Sequence, residues 1–197
     1  VTSVREAVQW LSYTYLHVRQ LKNPLAYGMT LDQPIIDPHL VRWRVELVEV
    51  MAKRLDAARM IRFHGPSGSL DPTELGRTSS HFYLSVGTVE MFNEQTGPAQ
   101  NESDIFHTLC CAAEFANIKV REEEMEELET LHAQAPLTVR GGLDTKEGKT
   151  CVLMQTYISG LPVKAFALVS DCTFISQSAA RIARGLFEIA LGRGWLS

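Results

Sequence analysis

The hydrophobic period of this 197-residue chain changes clearly in one place, at MIRFHGPSGSLDPTEL, residues 60–75. Short alternating runs on either side of Gly65-Pro66-Ser67-Gly68 read as two strands joined by a tight turn. Nearly everything before and after this hairpin carries the three-to-four residue spacing of amphipathic helices. Residues 3–21 place apolar side chains at 4, 8, 11, 15 and 18 and predict one helix, which Asn23-Pro24 and Gly28 should stop. A second helix is predicted to start at Asp37-Pro38, with Asp as cap and Pro at the first helical position. Its apolar side should carry Leu40, Leu47, Met51, Leu55 and Ala58.

Helices followed by a hairpin is the order of a winged helix, which serves both nucleic-acid binding and protein docking. On the second helix Arg42, Arg44, Lys53 and Arg54 interleave with Glu46 and Glu49. That mixture suits a solvated or protein-contacting face better than one tracking phosphates. Beyond the hairpin the helical pattern resumes in RTSSHFYLSVGTVEMFNE, ESDIFHTLCCAAEF, VREEEMEELETL, TCVLMQTYIS and a long C-terminal segment, with loops at 96–103 and 133–148. The predicted fold is therefore mainly α, a winged helix at 1–76 followed by a helical bundle at 77–197. Val1 falls inside a helical pattern, so the first domain reads as cut short and the chain as a piece of a larger protein.

Charge and cysteine usage narrow the chemistry. The net charge of −4 argues against a wholesale polyanion binder. Much of the acidity lies in one run, REEEMEELE at 121–129, which reads as a solvated helix face. Cys110, Cys111, Cys151 and Cys172 form no C-x-x-C pair, which points to reduced thiols rather than a disulfide frame or a zinc cluster. The six histidines form no H-E-x-x-H, so no metal site is expected. No apolar run is long enough to predict a membrane span.

GGLDTKEGKT, residues 141–150, invites reading as a phosphate-gripping loop. The pattern requires four residues between its glycines, whereas Gly142 and Gly148 are separated by five and Leu143 stands where the first glycine belongs. It reads instead as a solvated loop leading through Gly148, Lys149 and Thr150 into the next helix. GPSGS at 65–69 fails as a nucleophile elbow, because Ser69 replaces the second glycine. No catalytic residue, cofactor site or metal site is predicted within this chain.

The C-terminal helix carries the most specific pattern. At 100° per residue Thr173, Gln177, Arg181 and Arg184 fall within an arc of about 80°, while Ile175, Ala179, Ile182, Leu186 and Ile189 lie opposite. One side packs, and the other offers amide and guanidinium groups that could meet phosphates and bases of a single strand. An Arg184–Glu188 surface pair explains the same residues equally well.

Taken together, ELGRTSSHFYLS (74–85), EMFNE (90–94), EFANIKVREEE (114–124), LMQTYIS (153–159) and SQSAARIARGLFEIALGRGW (176–195) resemble the winged-helix and Sec-63-type region of Ski-2-like superfamily II helicases. FNE, SDIF at 103–106 and KVREEEMEELETL look most similar to the N-terminal cassette of the coactivator-complex members, with the spliceosomal two-cassette members next. The resemblance implies two RecA-like motor domains elsewhere in the parent chain, holding ATP and Mg2+, with 3′-to-5′ translocation. It implies a ratchet helix holding Ser176 to Leu191 under single-stranded DNA or RNA. Arg181 stands where archaeal members carry a base-stacking aromatic residue, and a guanidinium plane can take that role. Further implied partners are subunits of a coactivator or DNA repair complex, in nucleus and cytoplasm. A docking module that never touches nucleic acid is the competing reading, supported by the acidic run and the mixed-charge second helix.

Overall fold

Residues 1–195 are described by the computed structural model, which divides into two units, Val1–Arg77 and the chain from Thr78 onward. The fold is mainly α, a winged helix with one hairpin and then a helical bundle.

In the first unit the segment expected as one helix is two. Helix α1 (Val4–Ser12) is capped by Ser3, whose hydroxyl accepts from the Glu6 amide, and α2 (Tyr15–Lys22) follows a break. At the break Thr14 is extended and its hydroxyl donates to the Leu11 carbonyl at 2.7 Å, competing with continuation of the helix. A 3-10 turn at Pro24–Tyr27 ends on Gly28 in the left-handed region, and a single helical turn, α3 (Gln33–Ile36), leads to α4 (Val41–Ala57). Asp37 does cap α4, but from further upstream than the sequence suggests. Its carboxylate accepts the amides of Val41, Arg42 and Trp43 at 2.9, 2.8 and 3.3 Å, so Pro38 lies in the preceding turn rather than at the first helical position.

Arg44 corrects the expected solvated face of α4. It is buried, and its guanidinium donates to the carbonyls of Val8 (2.5 Å), Leu40 (3.2 Å) and His39 (3.1 Å), tying α4 to α1. The buried row of α4 is Arg44, Val48 and Ala52, one step round from the expected one. Leu47, Met51 and Leu55 instead line an open apolar groove of about 510 Å³ with Trp10, Leu16 and Leu70.

Strands β1 (Ile61–His64) and β2 (Ser69–Pro72) pair antiparallel, with Ile61 opposite Pro72 and His64 opposite Ser69. The N-terminal residues add to the outer edge of β2: Leu70 donates to Thr2 and Val4 donates to Gly68, each at 2.8 Å. Helix α5 (Glu74–His81) then starts against the entrance to β1. A β-carbon at Gly76 would lie 1.9 Å from the Met60 carbonyl oxygen, so only glycine permits that approach.

In the second unit α6 (Val86–Gln95) is separate from α5, because Tyr83 turns the chain through the left-handed region at φ 51°. Helix α7 (Glu102–Cys110) opens on a reciprocal capping box between Asn101 and Asp104. A 3-10 turn at Glu122–Glu124 precedes α8 (Met125–His132), and α9 (Lys146–Ser159) and α10 (Phe166–Gly192) complete the bundle. Helix α9 is its centre, buried from Gly148 through Thr156 and packed against α7, α8 and α10. Leu128, Val152, Leu153, Leu168, Ile175 and Ile182 form the core between them.

Candidate nucleic-acid interface

The apolar side of α10 is where the spacing places it: Ile175, Ile182, Leu186 and Ile189 are buried. The opposite side is a continuous exposed row. Phe166, Ser170, Thr173, Gln177, Ala180, Arg184, Phe187 and Leu191 succeed one another at three- and four-residue steps. Three of the four expected contact residues, Thr173, Gln177 and Arg184, belong to that row. The Arg184–Glu188 pair does not form, and no carboxylate among the described residues holds the Arg184 guanidinium.

Arg181 differs. It sits at the edge of the arc, half-buried, and its Nη1 donates to the carbonyls of Phe82 at 2.6 Å and Tyr83 at 2.5 Å. Charge-assisted bonds to two carbonyls satisfy the C-terminal end of α5, so this guanidinium braces the protein itself. One turn along α10, Gly185 admits the neighbouring residue of the same segment. A β-carbon there would lie 2.8 Å from Leu84 Cδ1.

The near end of α10 is fastened by charges that the sequence concealed. Lys149 is fully buried, and its three ammonium protons find Glu124 Oε2 at 2.5 Å, Asp171 Oδ2 at 2.7 Å and the Lys119 carbonyl at 2.8 Å. Arg121 closes the cluster, reaching Asp171 at 3.3 Å and Glu124, and this bond to Glu124 holds its guanidinium further above its ordinary pKa. Glu124 is 2 % exposed. Two carboxylates of the run expected to be solvated are therefore structural. Glu124 neutralises Lys149, and Glu127 accepts the amides of Lys164 and Ala165 at 2.6 and 2.9 Å, capping α10. Their three-residue spacing was the sole local signal of a shared face.

The same geometry answers the glycine-rich stretch. Thr145, not a phosphate, holds the Gly148 amide, at 3.0 Å. A β-carbon at Gly148 would lie 2.2 Å from the Gly142 carbonyl oxygen, so this glycine lets the preceding loop close on the first turn of α9. Lys149 is committed to carboxylates and belongs to a helix rather than to a solvated loop.

The thiols are packing groups. Burial against Cys151 pushes the Cys110 thiol far above its usual range, the hydrogen bond between the two being the larger cause. Among the described residues no three His, Cys, Asp or Glu side chains gather as a metal ion would need, and no helix is long and apolar enough to cross a membrane.

A family described as the Sec63 Brl domain matches residues 72–197. The chain belongs to the Sec63 Brl domain family. It is similar to activating signal cointegrator 1 complex subunit 3 of Bos taurus, with 50 % identity over 196 residues, 99 % of this chain and 9 % of that protein. It is similar to the DExH-box ATP-dependent RNA helicase DExH14 of Arabidopsis thaliana to the same extent and over the same shares. The U5 small nuclear ribonucleoprotein 200 kDa helicase of Homo sapiens is 38 % identical over 195 residues, again 99 % of this chain and 9 % of the relative. The chain thus spans about a tenth of the curated relatives it matches, and the Sec63 Brl match takes in α10 and the residues that fasten it.

Proposed function

We propose that this chain is an accessory region of an ATP-dependent 3′-to-5′ helicase and that α10 guides single-stranded nucleic acid behind the motor. The observation that carries the reading is the exposed row on α10 holding Thr173, Gln177 and an Arg184 that no carboxylate among the described residues pairs, on a helix fixed along its other side. Thr173 and Gln177 offer hydroxyl and amide groups to sugar and phosphate, and Arg184 a guanidinium to phosphate or base. Arg181 acts indirectly, by holding the 82–84 segment against the helix. ATP and Mg2+ would be bound by RecA-like domains of the parent chain, whose strokes move the strand while the row retains it between strokes. Affinity per nucleotide need only be modest for that task.

Names of the relatives support a helicase setting within a larger assembly, and that of the small nuclear ribonucleoprotein relative supports a nuclear one. A coactivator or DNA repair complex is the partner class we favour.

Fluorescence anisotropy of labelled single-stranded DNA and RNA across a salt series tests the reading. Binding should fall with salt, and Arg184→Ala should lessen the slope by about 0.7. Loss of all salt dependence, or identical slopes for the two proteins, would sink it.

One observation favours protein docking for the first unit: the open apolar groove beside α4, with Trp10, Leu16 and Met51 exposed. Docking there by the RecA-like domains would bury this surface, and would tolerate salt that releases a nucleic acid.

A further inference from the structure

Among the described residues, three that are not glycine lie in the left-handed region, and they differ in what they obtain there. Leu40, at φ 49°, buries its side chain completely, and Arg59, at φ 61°, ends α4 with its carbonyl accepting from the Thr73 hydroxyl at 2.7 Å. Tyr83, at φ 51°, ends α5, a position glycine fills with less strain. Its side chain is 81 % exposed, so burial does not account for an aromatic residue there. Yet its backbone is bonded through both its amide and its carbonyl. Its amide and that of Leu84 close the end of α5 on the carbonyls of Ser80 and Ser79, at 3.2 and 2.8 Å. Its carbonyl and that of Phe82 accept from Arg181. Leu84 is buried, with its side chain against Gly185.

We propose that Tyr83 is a stacking platform for an unpaired base of the strand lying along α10, and that Arg181 is the residue that positions it. The inference rests on the reading of α10 given above. Arg181 lies four residues after Gln177 and three before Arg184, so the backbone of Tyr83 is pinned beside the middle of the exposed row. An aromatic ring with a fixed backbone loses little freedom when a base stacks on it, and stacking tolerates any base, as a translocating strand requires. Strain retained at an exposed position is what a binding group, rather than a packing group, would leave behind.

The test uses single-stranded oligonucleotides, DNA and RNA in parallel, each carrying one 2-aminopurine whose fluorescence is quenched by stacking. Tyr83→Ala should weaken binding at least about fivefold and abolish the protein-dependent quenching, while Tyr83→Phe retains both. Tyr83→Gly should bind as poorly as Tyr83→Ala and yet melt at a higher temperature than the wild type, a combination that a merely structural tyrosine would not give. Arg181→Met should weaken binding with the salt slope unchanged, because it removes positioning and no phosphate contact. Should Arg181→Met lower the slope as Arg184→Ala does, Arg181 contacts phosphate and the positioning role is overturned. Should Tyr83→Ala bind like the wild type while Arg184→Ala lessens the salt slope by about 0.7, the platform is overturned and the α10 reading stands; Tyr83 then faces protein. Absence of binding by the wild type overturns both.

Discussion

Helix α10 is fastened in two regions, by opposite chemistry. At its near end, where the Glu122–Glu124 turn and α9 meet Asp171, one buried and one partly buried carboxylate flank a buried ammonium, and an arginine closes the cluster. Ten residues on, at Arg181 and Gly185, the fastening is a guanidinium on neutral carbonyls plus a close approach of Leu84 to a helix with no side chain in the way. The first depends most on Lys149 and Glu124, because removing either strands an unpaired charge in a dry place. The second is a set of separate, partly exposed contacts, and each can be lost by itself. Charge fastens α10 near its first turns, around the partly buried Asp171, whereas shape and backbone acceptors fasten it around Arg181 and Gly185.

Substitutions should break the two regions unequally. Lys149→Met should cost the most, about 3–5 kcal/mol in urea unfolding, since Glu124 would be left buried and charged. Restoring neutrality with Glu124→Gln in the same chain should recover part of the loss, and no recovery would mean that the cluster acts by packing alone. Gly185→Ala should cost about 1–3 kcal/mol by overpacking Leu84, and Leu84→Ala should relieve that clash when combined with it. Arg181→Met should cost about 1 kcal/mol in the same measurement, the ordinary worth of hydrogen bonds at a half-exposed site. Tyr83→Gly should raise stability by about 1 kcal/mol through release of left-handed strain. Arg184→Ala should change stability by less than about 0.5 kcal/mol while altering the salt dependence of oligonucleotide binding, which would mark it as a surface group with no structural duty.

Those charges also mark where sequence reasoning reached its limit. Period and turn chemistry carried the winged-helix order, the hairpin and the buried side of α10, because each depends on neighbours within a few residues. Breaks at Thr14 and Tyr83 were not legible: one depends on a hydroxyl choosing its own backbone, the other on a guanidinium 98 residues away. Lys149, Glu124 and Arg44 were misread as solvated for one reason. A charged residue in a helix looks the same whether its partner is water or a group far along the chain, and the Lys149 partners lie 22, 25 and 30 residues away. Thr173, Gln177 and Arg184 were legible as a row, whereas the engagement of Arg181 was not, since the arc gives direction but no knowledge of what stands beside it.

The spacing of the two fastenings has a rotational consequence. Asp171 and Arg181 each meet a fixed partner, so the turn of α10 about its own axis is set twice, ten residues apart. Inserting a single residue between them would put the two anchors out of phase by about 100°. No rotation of the helix could then satisfy both. Thr173 and Gln177 lie inside that interval, so their direction is phase-locked from both sides: a strand pulled along the row would meet a helix that cannot roll with it.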